Sequence, residues 1–262
     1  MNKENFDISK VDFIQIGEGP DLVLLHSLLS DRTVFEFVLD ELSKEYRVTL
    51  PNLPGYGETT ELDINKPELF DFADFIHAFM NSLDLPNDTA VLGNGAGGFI
   101  ALALAIRYGT SIGKLILADT GPAFSETDKT PLRLLADRVE TAGMKVVLDA
   151  AMARMFPQSY IKENPDIVNK RKTILETCNP AAFASTARAL ADVDMTGDLN
   201  KVSNETMVMV GLEDETTPPV MSHALKSGIQ RSILIEIPGC GHCPQVQSRD
   251  IFVSELLSFL QT

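Results

Sequence analysis

Tryptophan is missing from this 262-residue chain, cysteine occurs only three times, and basic residues are scarce, with 22 Lys and Arg against 37 Asp and Glu. The missing tryptophan excludes nothing by itself. The shortage of positive charge excludes more, because a net charge of -15 repels phosphate backbones and anionic headgroups. Neither nucleic acid nor a membrane surface is therefore expected as a partner. The acidic residues are scattered, with no block of like charge, which describes a solvated surface rather than an acidic tail. The chain also lacks any run of about eighteen apolar residues, the signature of a transmembrane helix. Met1-Asn2-Lys3-Glu4-Asn5-Phe6 has no apolar stretch of the kind a signal peptide carries, so the expected location is the cytoplasm. Internal repeats and low-complexity segments are absent too.

What remains has the balance of a soluble globular domain, 44% hydrophobic and 23% charged, at a length that suits one α/β domain with an inserted piece. Val11 to Ile16 alternates as a strand. Leu22-Val23-Leu24-Leu25 is a continuous apolar run, as in a strand buried on both faces. A helix over about Arg32 to Leu42, a strand over Tyr46 to Leu50 and an amphipathic helix over Phe70 to Leu83 follow. Strand Thr89 to Leu92, helix Gly98 to Tyr108 and strand Lys114 to Ala118 continue the alternation, which implies a mostly parallel sheet covered on both sides. From 121 to 199 the alternation stops and the pattern is helical. It resumes with strands at Glu205 to Val210 and Ser232 to Ile237. The expected organisation is a core domain of residues 1–120 and 200–262, with a helical cap of residues 121–199 inserted between two strands.

The segment Val91-Leu92-Gly93-Asn94-Gly95-Ala96-Gly97-Gly98 admits two functions. Gly93, Gly95 and Gly98 spell the G-x-G-x-x-G of a dinucleotide site, with Asp119 about twenty residues on. The same residues also form a nucleophile elbow, G-x-S-x-G, whose serine has become Gly95. A dinucleotide turn belongs after the first strand of its unit, and here at least three strands precede it. It also leaves four turns unexplained: His26-Ser27-Leu28, Leu50 through Gly57, Gly211-Leu212-Glu213-Asp214, and Gly239-Cys240-Gly241-His242.

Together with the glycine turn, these four segments, in this order, resemble the α/β-hydrolase superfamily over nearly the whole chain. The resemblance implies an α/β-hydrolase fold, a mostly parallel eight-stranded sheet flanked by helices with a helical cap. Leu25-His26-Ser27-Leu28 with Asp31-Arg32 is similar to the 3-oxoadipate enol-lactonase branch. So is the cap from Met155-Phe156-Pro157 through Asn164-Pro165 to Ala189 through Asp194. Gly241-His242-Cys243-Pro244-Gln245 departs from that branch toward carbon–carbon hydrolases and general esterases, which puts the substrate in question but not the fold.

The resemblance implies Ser-His-Asp chemistry on a small carboxylic ester or lactone, with no metal and no organic cofactor. Position 95 is the nucleophile's, His242 the general base, and Asp214 the acid that fixes its tautomer. The backbone N–H groups of Ala96 and Leu28 form the oxyanion hole. His26, Ser27 and Asn94 are expected against the substrate. Of the cap arginines Arg133, Arg138 and Arg154, which cannot all face the pocket, Arg133, just after Pro131, is the one expected to grip the free carboxylate of an enol-lactone through its planar fork. Asp119 is the alternative acid, and Glu213 and Glu215 flank Asp214 closely enough to confuse the assignment. Cys240-Gly241-His242-Cys243 copies a redox motif but lies near the C-terminus and runs into Pro244, so reduced thiols are expected. Glycine has no side-chain atom to attack a carbonyl, so the chain is expected to be inactive as an acyl-enzyme former. Two histories fit Gly95: a serine exchanged for glycine with the rest of the site intact, or a natural protein that binds a ligand or activates water through His242 and Asp214. The intact base, acid and oxyanion turn favour the first. Ser27 lies nearby, but at a backbone-donor turn, and is taken as a poor substitute. The oligomeric state is not legible in the sequence.

Overall fold

The computed structural model describes residues 7–262, and Met1 to Phe6 lie outside the described residues. Seven strands form one sheet: β1 (Phe13–Ile16), β2 (Asp21–Leu25), β3 (Arg47–Pro51), β4 (Ala90–Asn94), β5 (Leu115–Ala118), β6 (Thr206–Gly211) and β7 (Ser232–Ile237). Their spatial order is β1-β3-β2-β4-β5-β6-β7, with β1 antiparallel to β3 and every other pairing parallel. The resemblance implied eight strands. Among the described residues there are seven, because the chain before β1 turns through a 3-10 helix (Ile8–Lys10) capped by the Asp7 carboxylate.

β2, β4, β5 and β6 are buried along their whole length, as continuous apolar strands covered on both faces must be. The helices α1 (Glu36–Leu42), α2 (Leu69–Ser82) and α3 (Ala96–Tyr108) alternate with the first strands. α3 is apolar on every side because it lies between the sheet and α2. It approaches the strands through glycine, for a Cβ on Gly97 would stand 2.2 Å from the carbonyl oxygen of Leu25.

Between β5 and β6 the chain makes five helices: α4 (Glu126–Ala142), α5 (Leu148–Met155), α6 (Gln158–Glu163), α7 (Pro165–Glu176) and α8 (Pro180–Asp192). α4 packs along α8, and an antiparallel bridge between Ala123 and Asp194 closes the base of the excursion. The chain then returns through β6, α9 (Pro219–Gly228) and β7 to α10 (Pro244–Gln247) and α11 (Arg249–Leu260). No helix among the described residues is long and apolar enough to cross a membrane.

The strand order reverses between β2 and β4, and in an open parallel sheet ligands bind at the carboxyl ends beside such a reversal. The register pairs Leu25 with Gly93. Two residues beyond that pair, Ser27 and Gly95 therefore leave the sheet side by side. The glycine turn follows β4, in the middle of the sheet.

Candidate active site

Gly95 has φ 55° and ψ -120° at the N-terminus of α3, a conformation suited to glycine. Its carbonyl accepts from the N–H groups of Gly98 and Phe99 and from Thr120 Oγ1, while its own N–H donates to Ala118. The sharp strand-to-helix turn is thus held by backbone and by Thr120 and does not depend on a side chain at 95.

Three further turns reach the same point. Asp214 follows β6 and His242 follows β7, as the sequence order led us to expect. His242 Nδ1 lies 2.9 Å from Asp214 Oδ2, and both residues are buried. The N–H groups of Thr216 and Thr217 donate to Asp214 Oδ1, and Thr217 Oγ1 donates to Oδ2 at 2.7 Å. Burial opposes ionisation of Asp214. The charge and hydrogen bond of His242, with the two threonines, outweigh it and hold the carboxyl below its ordinary value. His242 Nε2 faces the turn, 2.7 Å from where a Cβ on residue 95 would stand. With Nδ1–H given to Asp214, Nε2 is the basic nitrogen, the tautomer general-base chemistry requires.

Asp119 does not take the acid's place. It lies behind Asp214, fully buried at a positive φ of 48°, and its Oδ1 accepts from the N–H of Gly211. Burial and the neighbouring Asp214 charge push its carboxyl well above the usual aspartate range. Glu213 and Glu215 are exposed, and neither reaches His242.

The cavity beside these groups is lined by Ser27, Leu28, Gly95, Ala96, Thr217 and His242 at its base. Its upper wall is apolar, with Phe99 of α3, Phe124 from the segment between β5 and α4, and Leu132, Leu135 and Leu190 from α4 and α8. The N–H groups of Leu28 and Ala96 donate to no acceptor among the described residues, although both residues are buried. Two unpaired donors at the floor of a cavity are what an oxyanion hole offers.

His26 and Asn94, expected against the substrate, do not line the cavity. His26 is fully buried, with Nδ1 2.9 Å from the carbonyl of Ser27 and Nε2 accepting from the N–H of Leu53. Asn94 Nδ2 donates to the carbonyl of His242, and its Oδ1 accepts from Gln245. Each side chain pins a turn from behind. Burial lowers the pKa of His26 from 6.5 to about 4, so the ring is neutral and can accept from Leu53. A depressed histidine contributes stability that is present above pH 6.5 and lost as pH falls toward about 4. Over that window the loss amounts to roughly 3 kcal/mol. Urea denaturation between the two limits should therefore show stability falling with pH, and less steeply in His26→Gln. Equal slopes in the two proteins would assign the fall to other groups.

Arg133 also departs from expectation. α4 begins at Glu126, so Pro131 lies inside it rather than at its entrance. The face turned to the cavity carries Asp128, Pro131, Leu132 and Leu135, spaced three and four apart. Arg133 falls off that face and donates to Asp192 on α8. The arginine that lines the cavity is Arg154 of α5, which donates to the carbonyl of Glu215 at 2.8 Å. Thr217 was also missed, although a threonine three residues after an aspartate is a recognisable local hydrogen-bonding pattern.

All three cysteines are free and buried, and burial pushes the Cys240 thiol up to about 12 and that of Cys243 well above its usual value. Neither is a reactive thiolate. Among the described residues no group of three His, Cys, Asp or Glu side chains could hold a metal ion.

Residues 22–255 match the sequence pattern of the alpha/beta hydrolase family. The pimeloyl-[acyl-carrier protein] methyl ester esterase of Aliivibrio salmonicida is 29% identical over 252 residues, 94% of each chain. Among solved structures, a thermophilic esterase from Thermogutta terrifontis superposes with a TM-score of 0.89 at 28% identity, over 96% of this chain and 93% of that one. The enol-lactonase from Burkholderia xenovorans LB400 gives 0.89 at 22% identity over 96% of each, a likeness of fold.

Proposed function

The chain belongs to the alpha/beta hydrolase family, and from that premise we propose that it hydrolyses a small carboxylic ester or lactone. The observation that carries the reading is the Asp214–His242 pair, with Nε2 turned to a cavity floored by two unpaired N–H groups. Such a floor stabilises a tetrahedral oxyanion, each donor contributing typically about 10²–10³ in rate. The base takes a proton from an attacking hydroxyl and returns it to the leaving oxygen. The apolar upper wall suits a hydrocarbon acyl or alcohol group. The relatives at 28% and 29% identity are named as esterases, which supports the same reaction class.

An acyl-enzyme at position 95 is closed to this chain, because glycine offers no nucleophile. If nothing replaced it, the protein would be inert toward esters, and restoring a serine would restore turnover. The space around Gly95 opposes so simple an exchange. A Cβ there would stand 2.2 Å from Ser27 Oγ and 2.9 Å from Ser27 Cβ. The test of the hydrolase reading is turnover of p-nitrophenyl acetate, short methyl esters and small lactones by the chain itself. A chain that hydrolyses none of them, alone or with a nucleophile restored at 95, is not an ester or lactone hydrolase.

Arg154 is the arginine that lines the cavity, where Asp128 and Glu215 also lie, and is the cation that would favour an acidic substrate. Arg154→Ala should raise KM for esters bearing a free carboxylate about tenfold, the loss of one charged contact. Neutral esters should be little affected, and Arg133→Ala should change neither. An Arg154→Ala protein that treats both substrate types alike would remove the preference for acidic substrates and leave the hydrolase reading standing.

A further inference from the structure

We propose that Ser27 is the nucleophile of this chain, so that the working triad is Ser27–His242–Asp214, built on the turn after β2 instead of the elbow after β4. The inference rests on the hydrolase reading above. Ser27 Oγ lies 3.2 Å from His242 Nε2, the nitrogen left basic by Asp214, and has no other hydrogen-bond partner among the described residues. Ser27 is 2% exposed and lines the cavity. Its hydroxyl stands almost where a side chain on residue 95 would begin. The absence of a side chain at Gly95 is what admits it.

The parallel register explains why the exchange is possible. β2 and β4 are neighbours paired at Leu25 and Gly93, so the residues two further along both strands face one histidine. The serine is also held as a nucleophile must be. Its carbonyl is 2.9 Å from His26 Nδ1 and accepts from the N–H of Ser30, which fixes the turn, while Tyr56 Oη donates to the carbonyl of Leu28. The oxyanion donors exchange parts without moving. In the family's usual arrangement one donor is the N–H of the residue after the nucleophile and the other comes from the facing loop. With Ser27 attacking, Leu28 is the residue after the nucleophile and Ala96 belongs to the facing turn, and both N–H groups are unpaired.

The chemistry balances. Ser27 Oγ bonds to the ester carbonyl carbon as its proton passes to His242 Nε2, and the carbonyl electron pair becomes the oxyanion. Collapse breaks the bond to the alkoxy oxygen, which takes the proton from Nε2 and leaves as an alcohol, or stays tethered when the substrate is a lactone. Water then adds to the Ser27 ester, giving its proton to Nε2. The second collapse returns that proton to Ser27 Oγ and releases the carboxylic acid.

Diisopropyl fluorophosphate tests the assignment independently of the natural substrate, since attack forms an Oγ–P bond, expels fluoride and sends the proton to His242. Intact-mass measurement and peptide mapping should find one diisopropylphosphoryl group, on the peptide containing Ser27. The adduct should be absent from Ser27→Ala and from His242→Ala, both checked for native circular dichroism. Hydrolysis of p-nitrophenyl acetate should fall on the order of 10³-fold or more in Ser27→Ala. Full hydrolysis by Ser27→Ala, with no adduct at residue 27 in the parent, would overturn the assignment while leaving an esterase that activates water directly. An adduct on Ser27 without turnover of any ester or lactone would uphold the nucleophile and sink the hydrolase reading. Neither adduct nor turnover would overturn both.

Discussion

Replacing His242 with alanine is expected to lower turnover of a short ester by about 10²–10⁴-fold, the range for loss of a general base. The effect should be the largest of any single change outside the nucleophile, because every proton in the reaction passes through Nε2. The turn itself should survive. The carbonyl of residue 242 accepts from Asn94, and its N–H donates to the carbonyl of Met155, so the backbone does not depend on the imidazole. Asp214 keeps Thr216 and Thr217 as donors. It nevertheless loses the hydrogen bond from His242 that helps offset its burial, so its pKa should rise and the variant should be less stable near neutrality. Breaking a buried pair from one side costs about 3–5 kcal/mol where no other donor remains. The threonines should keep the loss below that. Steady-state kinetics beside a denaturation curve separates the two effects. A folded variant with the parent rate would mean that the base is not His242.

The sheet and the turns that carry the site were legible because each is a local signal: an apolar run ending in a glycine, or in a histidine or aspartate beside one. Seven strands fall where alternation and continuous apolar runs place them. The meeting of Asp214 and His242 could be read from chain order, since consecutive strands of this sheet deliver them to one edge. What could not be read depends on helical phase or on contacts between distant residues. Pro131 looked like a helix start, yet α4 begins at Glu126, and that difference rotates Arg133 off the cavity and onto Asp192. His26 and Asn94 sit in the turns expected of them. Their polar atoms meet backbone groups behind the cavity only once distant turns come together. Ser27 occupies a position that ordinarily supplies backbone, not side-chain, chemistry. The register between β2 and β4 and the space left at Gly95 are what bring its hydroxyl to His242, and neither is a property of a short window of sequence.

The relation between positions 27 and 95 yields the second large effect, a coupling that neither single change reveals. Gly95→Ser alone introduces a Cβ that cannot coexist with the present Ser27 side chain, at 2.2 Å from its Oγ and 2.9 Å from its Cβ. Rotating the hydroxyl relieves the first contact. The second involves an atom fixed to the backbone, so the turn after β2, which carries the N–H of Leu28, must shift. Overpacking of this kind typically costs about 1–3 kcal/mol. The displacement also falls on an oxyanion donor, where misplacement is felt in the rate. Ser27→Gly alone removes the only hydroxyl on Nε2 among the described residues and should leave little activity. The double exchange Ser27→Gly with Gly95→Ser returns a serine to the elbow, removes both Ser27 contacts so that only the 2.7 Å approach to His242 Nε2 is left to relax, and keeps His242, Asp214 and both donors. It should be more active than either single variant by at least about tenfold, a difference of roughly 1.4 kcal/mol or more in transition-state stabilisation. The measurement is a double-mutant cycle on kcat/KM for p-nitrophenyl acetate, with thermal stability followed in parallel. If Gly95→Ser alone matches the double variant in rate and stability, the two positions do not compete for one space. Ser27 would then be a bystander to a site whose only defect is the glycine.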